Sequence, residues 1–110
     1  MELSKSIEVV NLFDLYKECL TEKQKELFSM YAEADLSLSE IAENLSESRQ
    51  AVYDVIKNAE NTLYKMDDKL KLNYKKKVIS DKLSQLKNMI LQNESKKEIL
   101  KVISEFEEMI

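Results

Sequence analysis

Residues 36–57, "LSLSEIAENLSESRQAVYDVIK", decide the fold. Ser37-Leu38-Ser39-Glu40 is the pattern of a capping box, in which the Ser37 hydroxyl takes the amide three residues on and Glu40 reaches back. Leu36 before the cap and Ile41 after it are placed to clamp the entry as a hydrophobic staple. Leu38, Ile41, Ala42 and Leu45 recur at helical spacing, so a short helix runs over 38–45. Ser48, ahead of Arg49-Gln50-Ala51-Val52, marks a second helix start. Ala42 is the small residue that lets the two helices approach. Ile41 and Leu45 take the inner positions of the first helix, and Val52 and Val55 those of the second. This is the apolar skeleton of a helix-turn-helix. Its turn is Ser46-Glu47, with no glycine where a left-handed residue is expected. Ser46 there implies a modest strain or a slightly different turn.

Working outward, further caps mark further helices. Thr21-Glu22-Lys23-Gln24 and Ser95-Lys96-Lys97-Glu98 also fit the capping box, each worth about 1 kcal/mol to a helix start. A first helix is expected over about residues 7–19, with Ile7, Val10, Phe13 and Leu20 near one face and Val9, Leu12 and Tyr16 broadening it. The helix after Thr21 packs Leu27, Phe28, Met30 and Tyr31. The helix from Arg49 carries Val52, Ile56, Ala59, Leu63, Met66 and Leu70, longer than an ordinary recognition helix. Farther on, Ile79, Leu83, Leu86 and Ile90 step 4-3-4. After the break at Asn93-Glu94-Ser95, Ile99, Ile103, Phe106 and Ile110 repeat the step. Such seams want another helix against them. Two partners are open: helix 4 of the same chain, through a helical hairpin, or a second copy.

Composition agrees. The chain has 110 residues, no Gly and no Pro, 35% charged and 44% hydrophobic residues. Nothing interrupts helices, and the residues of tight hairpin turns are nearly missing. The fold class is therefore all-α, with a helix-turn-helix domain over 1–72 and a C-terminal helical extension over 73–110. The same counts exclude chemistries. Without Gly there is no phosphate-cradling loop. With no His and one Cys there is neither a zinc site nor a His-based catalytic pair, so no metal, cofactor or enzyme activity is expected. Cys19 reads as a helix-packing residue in a reducing cytosol. The opening "MELSKSIE" lacks the apolar core of a signal peptide, and no apolar run exceeds three residues, so no membrane span is expected. Asp67-Asp68 and Glu107-Glu108 read as solvated helix faces, because neighbours on a helix diverge by about 100°.

Charge is uneven: residues 1–64 carry net −7, residues 65–87 net +5 and residues 88–110 net −2. On the second helix of the motif, Gln50, Tyr53, Asp54, Lys57 and Asn61 are expected to face out. Arg49 can reach a phosphate or a guanine edge, and Gln50 can pair an adenine. Arg49, Gln50, Tyr53 and Lys57 are thus the candidate nucleic-acid contacts, although Arg49 and Gln50 also suit a plain solvated first turn. Lys69, Lys71, Lys75, Lys76, Lys77 and Lys82 form a basic strip after the motif. It suits a nucleic-acid backbone, or simply a solvated surface.

Four blocks in order, "LFDLY" (12–16), "LTEKQ" (20–24), "DLSLSEIAE" (35–43) and "SRQAVYDVIK" (48–57), resemble the YlxM-type proteins. These are small bacterial helix-turn-helix proteins similar in fold to region 4 of housekeeping sigma factors. The resemblance covers roughly residues 7–72 closely. It implies a regulatory, DNA-binding protein tied to the signal recognition particle pathway, because genes of this family lie beside those for the particle's GTPase and its receptor. Implied partners are DNA and the particle's protein or RNA. A homodimer in the cytoplasm is expected, through the C-terminal seams. The alternative is a protein- or RNA-binding accessory factor of the targeting GTPase whose motif does not read DNA. The family usually carries Gly and an apolar residue at the turn, where this chain has Ser46 and Glu47.

Overall fold

A computed structural model describes Leu3 and residues 6–110. Of the opening stretch read for a signal peptide, Met1, Glu2, Ser4 and Lys5 lie outside the described residues. The described residues form six α-helices and no strand: α1 Ile7–Tyr16, α2 Glu22–Ala32, α3 Leu38–Leu45, α4 Arg49–Leu70, α5 Leu72–Leu91 and α6 Lys96–Met109. A single 3-10 turn, Lys17–Cys19, follows α1. The chain divides into two compact units, one ending at Asn73 and one running Tyr74–Ile110.

The caps expected from sequence are where the helices begin. Thr21 and Ser37 each complete a capping box. Ser48 accepts from the Ala51 amide at 3.0 Å. Ser95 accepts from the Glu98 amide at 3.2 Å, without the reciprocal half of its box. Ser6 adds a cap outside the expected set, taking the Val9 amide.

Without glycine, four turns put other residues in the left-handed region: Asp35, Ser46, Lys71 and Asn93, all with φ between 54° and 57°. Each costs an L-residue about 1 kcal/mol or more against Gly. Backbone bonds offset that cost. At Ser46 the Glu47 amide donates to the Ala42 carbonyl at 3.0 Å and the Ser46 amide to Glu43 at 3.3 Å, closing α3. The helix-turn-helix turn therefore keeps the tight left-handed geometry and carries the strain in a serine.

In the first unit α4 packs against α1, α2 and α3, and α2 against α3. The core is Val9, Leu12, Phe13, Tyr16, Leu20, Leu27, Phe28, Tyr31, Ile41, Ala42, Val52, Ile56, Ala59 and Leu63. Phe13 and Phe28 stack at 5.1 Å, and Tyr31 meets Phe28 edge-on at 6.2 Å. Several placements differ from expectation, among them Leu70, read as part of the α4 stripe but 47% exposed at the helix end. Ile7, the first residue of α1, points into solvent, so Val9, Leu12, Phe13 and Tyr16 make the buried face. Cys19 is exposed on the 3-10 turn rather than packed between helices; α1 stops at Tyr16, before it could carry Cys19 inward. Asp67 is half-buried and holds two hydrogen bonds, unlike the solvated acid expected.

Those bonds make the joint between α4 and α5. The buried Tyr16 hydroxyl donates to Asp67 Oδ1 at 2.8 Å and accepts from the Leu72 amide at 3.0 Å. Asp67 Oδ1 also accepts from the Asn73 amide at 3.1 Å. Two side chains from α1 and α4 thus cap the first amides of α5, which α5 cannot satisfy itself. Residues 66–76 contain no helix breaker; this latch and the left-handed Lys71 are what end α4. Burial, then the bond to Asp67, raise the Tyr16 phenol above its ordinary pKa, while the Leu72 amide pulls it down.

In the second unit α5 closes with Asn93 left-handed and the Glu94 amide on the Met89 carbonyl at 3.0 Å. The buried residues are Met89 and Val102, one position off the expected seams. Of the α5 seam only Leu86 is half-buried, while Ile79, Leu83 and Ile90 are 40%, 57% and 61% exposed. In α6, Ile99, Ile103 and Phe106 are half-buried, and Ile110, just past its end, is exposed.

Candidate nucleic-acid interface

The site begins with the Ser48 cap. Its hydroxyl fixes the first turn of α4, and that turn presents Arg49 and Gln50 to solvent. Leu38 from the start of α3 joins Arg49, Gln50 and Tyr53 around an open cleft of about 410 Å³. The structure therefore brings three of the four candidate contacts together. Lys57, one turn beyond Tyr53, does not line that cleft.

Their surroundings differ. Arg49 is exposed and makes no ion pair among the described residues. Gln50 Nε2 donates to Asp54 Oδ1 at 2.9 Å, so a base bound by Gln50 must compete with that carboxylate. Tyr53, expected to face out, is 8% exposed. The reason is a second inner row on α4: Tyr53, Ile56, Glu60 and Leu63 step 3-4-3 beside the main stripe, and all four are buried. Tracing that row in the sequence would have placed Tyr53 inward. Val55, expected at an inner position, is half-buried at the rim. Lys57 Nζ lies 3.6 Å from Oε1 of the buried Glu60, so its ammonium already has a carboxylate partner on α4.

The turn is braced from α2. Lys23 Nζ meets Glu47 Oε1 at 2.6 Å, tying the start of α2 to the residue after Ser46. This pair, 24 residues apart in sequence, has no local signal. The pair gives Glu47 a cationic partner at the turn.

Of the basic strip, Lys69, Lys71, Lys75, Lys76 and Lys77 are exposed and Lys82 is half-buried. None of the six makes an ion pair with a described residue. Lys69 and Lys71 close the first unit, and Lys75, Lys76 and Lys77 stand in the opening turns of α5 in the second. Among the described residues no group of His, Cys, Asp or Glu could hold a metal ion. No described helix is long and apolar enough to cross a membrane.

Residues 3–105 match the model of a helix-turn-helix family described as "YlxM / p13 like", UPF0122. The UPF0122 protein of Fusobacterium nucleatum is 48% identical over 87 residues, 79% of this chain and 84% of its own. That of Halalkalibacterium halodurans is 41% identical over 101 residues, 92% of this chain and 93% of its own. That of Mycoplasma capricolum is 38% identical over 102 residues, 92% of this chain and 90% of its own.

Proposed function

Because the chain belongs to the UPF0122 family of helix-turn-helix proteins, we propose that it is a regulatory protein of the signal recognition particle pathway that contacts nucleic acid. The link to the pathway comes from the family's gene neighbourhood. The proposed contact is with DNA, through the start of α4, by a homodimer in the cytoplasm. One observation carries this reading: Arg49, exposed and without an ion pair among the described residues, stands on a capped helix start beside Gln50 and an open cleft. A guanidinium so placed can bind a phosphate or the O6/N7 edge of guanine. Tyr53, 8% exposed, then has little surface to offer a ligand, and Lys57 shares its charge with Glu60.

The test is an anisotropy titration of duplex DNA over a series of salt concentrations, with wild type and Arg49→Ala. Removing one guanine partner weakens specific binding by about 1–3 kcal/mol, roughly 5- to 150-fold. Unchanged duplex affinity in Arg49→Ala overturns the reading.

A second reading has its own support. The unit holding the motif is acidic, net −7 over residues 1–64, and two of its four candidate contacts are tied to Asp54 and Glu60. The lysines without an ion pair among the described residues lie downstream. On this reading the protein is an accessory factor of the targeting GTPase, and Lys69, Lys71, Lys75, Lys76, Lys77 and Lys82 lie along the particle's RNA backbone. Every Lys→Ala change that removes a phosphate partner then lowers the salt slope of RNA binding by about 0.7–0.9. A slope that does not change overturns it.

A further inference from the structure

The α5 seam is uncovered where its neighbours on the same helix are not. Ile79, Leu83, Leu86 and Ile90 fall within about 60° of arc on α5 and run roughly 17 Å along it. The covered side of α5 is a different one: Val78 and Lys82 are half-buried and Met89 is buried, centred about 90° from the seam. Three of the four seam residues are at least 40% exposed. A row of aliphatic side chains with a 4-3-4 step is the surface that receives another helix with the same step.

We infer that this seam packs antiparallel against the same seam of a second copy, with the two-fold axis between Leu83 and Leu86. The inference rests on the homodimer reading above and names its surface and orientation. The choice of partner and direction comes from charge. Lys76 occupies the next core position before Ile79, and Lys82 and Lys87 flank the seam; Asp81 lies on the opposite side of α5. A parallel pair sets Lys76 beside Lys76 of the second copy, like charges in contact, whereas Lys82 and Lys87 face a lysine of the second copy in either direction and do not choose between them.

Antiparallel pairing centred on the seam gives four apolar layers: Ile79 with Ile90 of the second copy, Leu83 with Leu86, and their symmetry mates. It carries Lys76 level with Asn93 and Glu94 of the second copy, at the negative C-terminal end of its α5. Lys76, Asn93 and Glu94 are all exposed, so the lysine can reach that end. The arrangement is isologous, as a closed two-fold dimer requires.

Sedimentation and cysteine cross-linking test this, in a Cys19→Ser background that leaves no other thiol. Wild type is expected to sediment as a dimer at high micromolar concentration. Leu83→Glu is expected to sediment as a folded monomer, with its helical circular dichroism retained. Ile79→Cys and Ile90→Cys chains are expected to form a disulfide when mixed and oxidised, but not when either is oxidised alone. Should Leu83→Glu lose its fold, the cross-linking pair decides the matter by itself. A monomeric wild type overturns both the homodimer and this surface. A dimer that survives Leu83→Glu and forms no mixed disulfide overturns the surface and leaves the homodimer standing. Disulfides in either variant alone overturn the antiparallel orientation.

Discussion

Replacing Tyr16 by Phe keeps the ring in the core and removes one oxygen, which isolates the latch at the α4–α5 joint. That oxygen makes two hydrogen bonds, one to the Asp67 carboxylate at 2.8 Å and one from the Leu72 amide at 3.0 Å. A bond to a charged group contributes about 1.5–3 kcal/mol. An amide left without a partner costs about 1 kcal/mol more where the site is only partly closed to water. Asp67 keeps the Asn73 amide, which limits the damage. The expected loss is about 2–3 kcal/mol, equivalent to a melting temperature lower by about 10–20 °C for a unit of this size. Urea titration followed by circular dichroism measures it.

A pH series adds a second readout. The folded phenol holds its proton above the pH, about 10, at which the unfolded chain releases it. Its contribution is therefore complete below pH 10 and is lost as pH rises through the raised folded value. Wild-type stability should fall toward that of Tyr16→Phe in that window, and the gap between them should close. A loss under about 0.5 kcal/mol at neutral pH would mean that the phenol does not latch the start of α5, and would refute this explanation of the joint.

Three further outcomes follow from the same geometry. Ser46→Gly relieves a left-handed residue and should raise the urea midpoint by the equivalent of about 0.5–1 kcal/mol, with the slope unchanged; a destabilised variant would mean that the turn is held differently. Ser37→Ala removes the cap of α3 and should cost about 1 kcal/mol by the same titration. Ile56→Ala empties a fully buried position on α4 and should cost about 2–5 kcal/mol, the largest effect of these three.

The sequence by itself determined the helices and their starts. A hydroxyl bonding an amide three residues away is a local event, so Thr21, Ser37, Ser48 and Ser95 announce α2, α3, α4 and α6 without reference to the rest of the chain. The core stripe Val52, Ile56, Ala59 and Leu63 was legible for the same reason, since helical periodicity lies in the spacing alone. The site was legible in part. Arg49 and Gln50 stand where a helix start must put them, and Tyr53 sits at the edge of the buried arc, where its step of three to Ile56 was the signal that it turns inward.

What ends α4 lay outside the reach of local pattern. Nothing near Lys71 breaks a helix. The break exists because Tyr16 on α1 and Asp67 on α4 hold the amides of Leu72 and Asn73, bonds that form only once the chain has folded. The ion pairs obey the same division. Lys23 with Glu47, 24 residues apart, braces the turn through a contact that only packing makes, whereas Lys57 with Glu60 is a pair three residues apart on one helix, legible in the spacing, of which packing decides only that Glu60 is buried. Local spacing determines where helices begin and which face is apolar; tertiary structure decides where α4 stops and which charges remain free to bind.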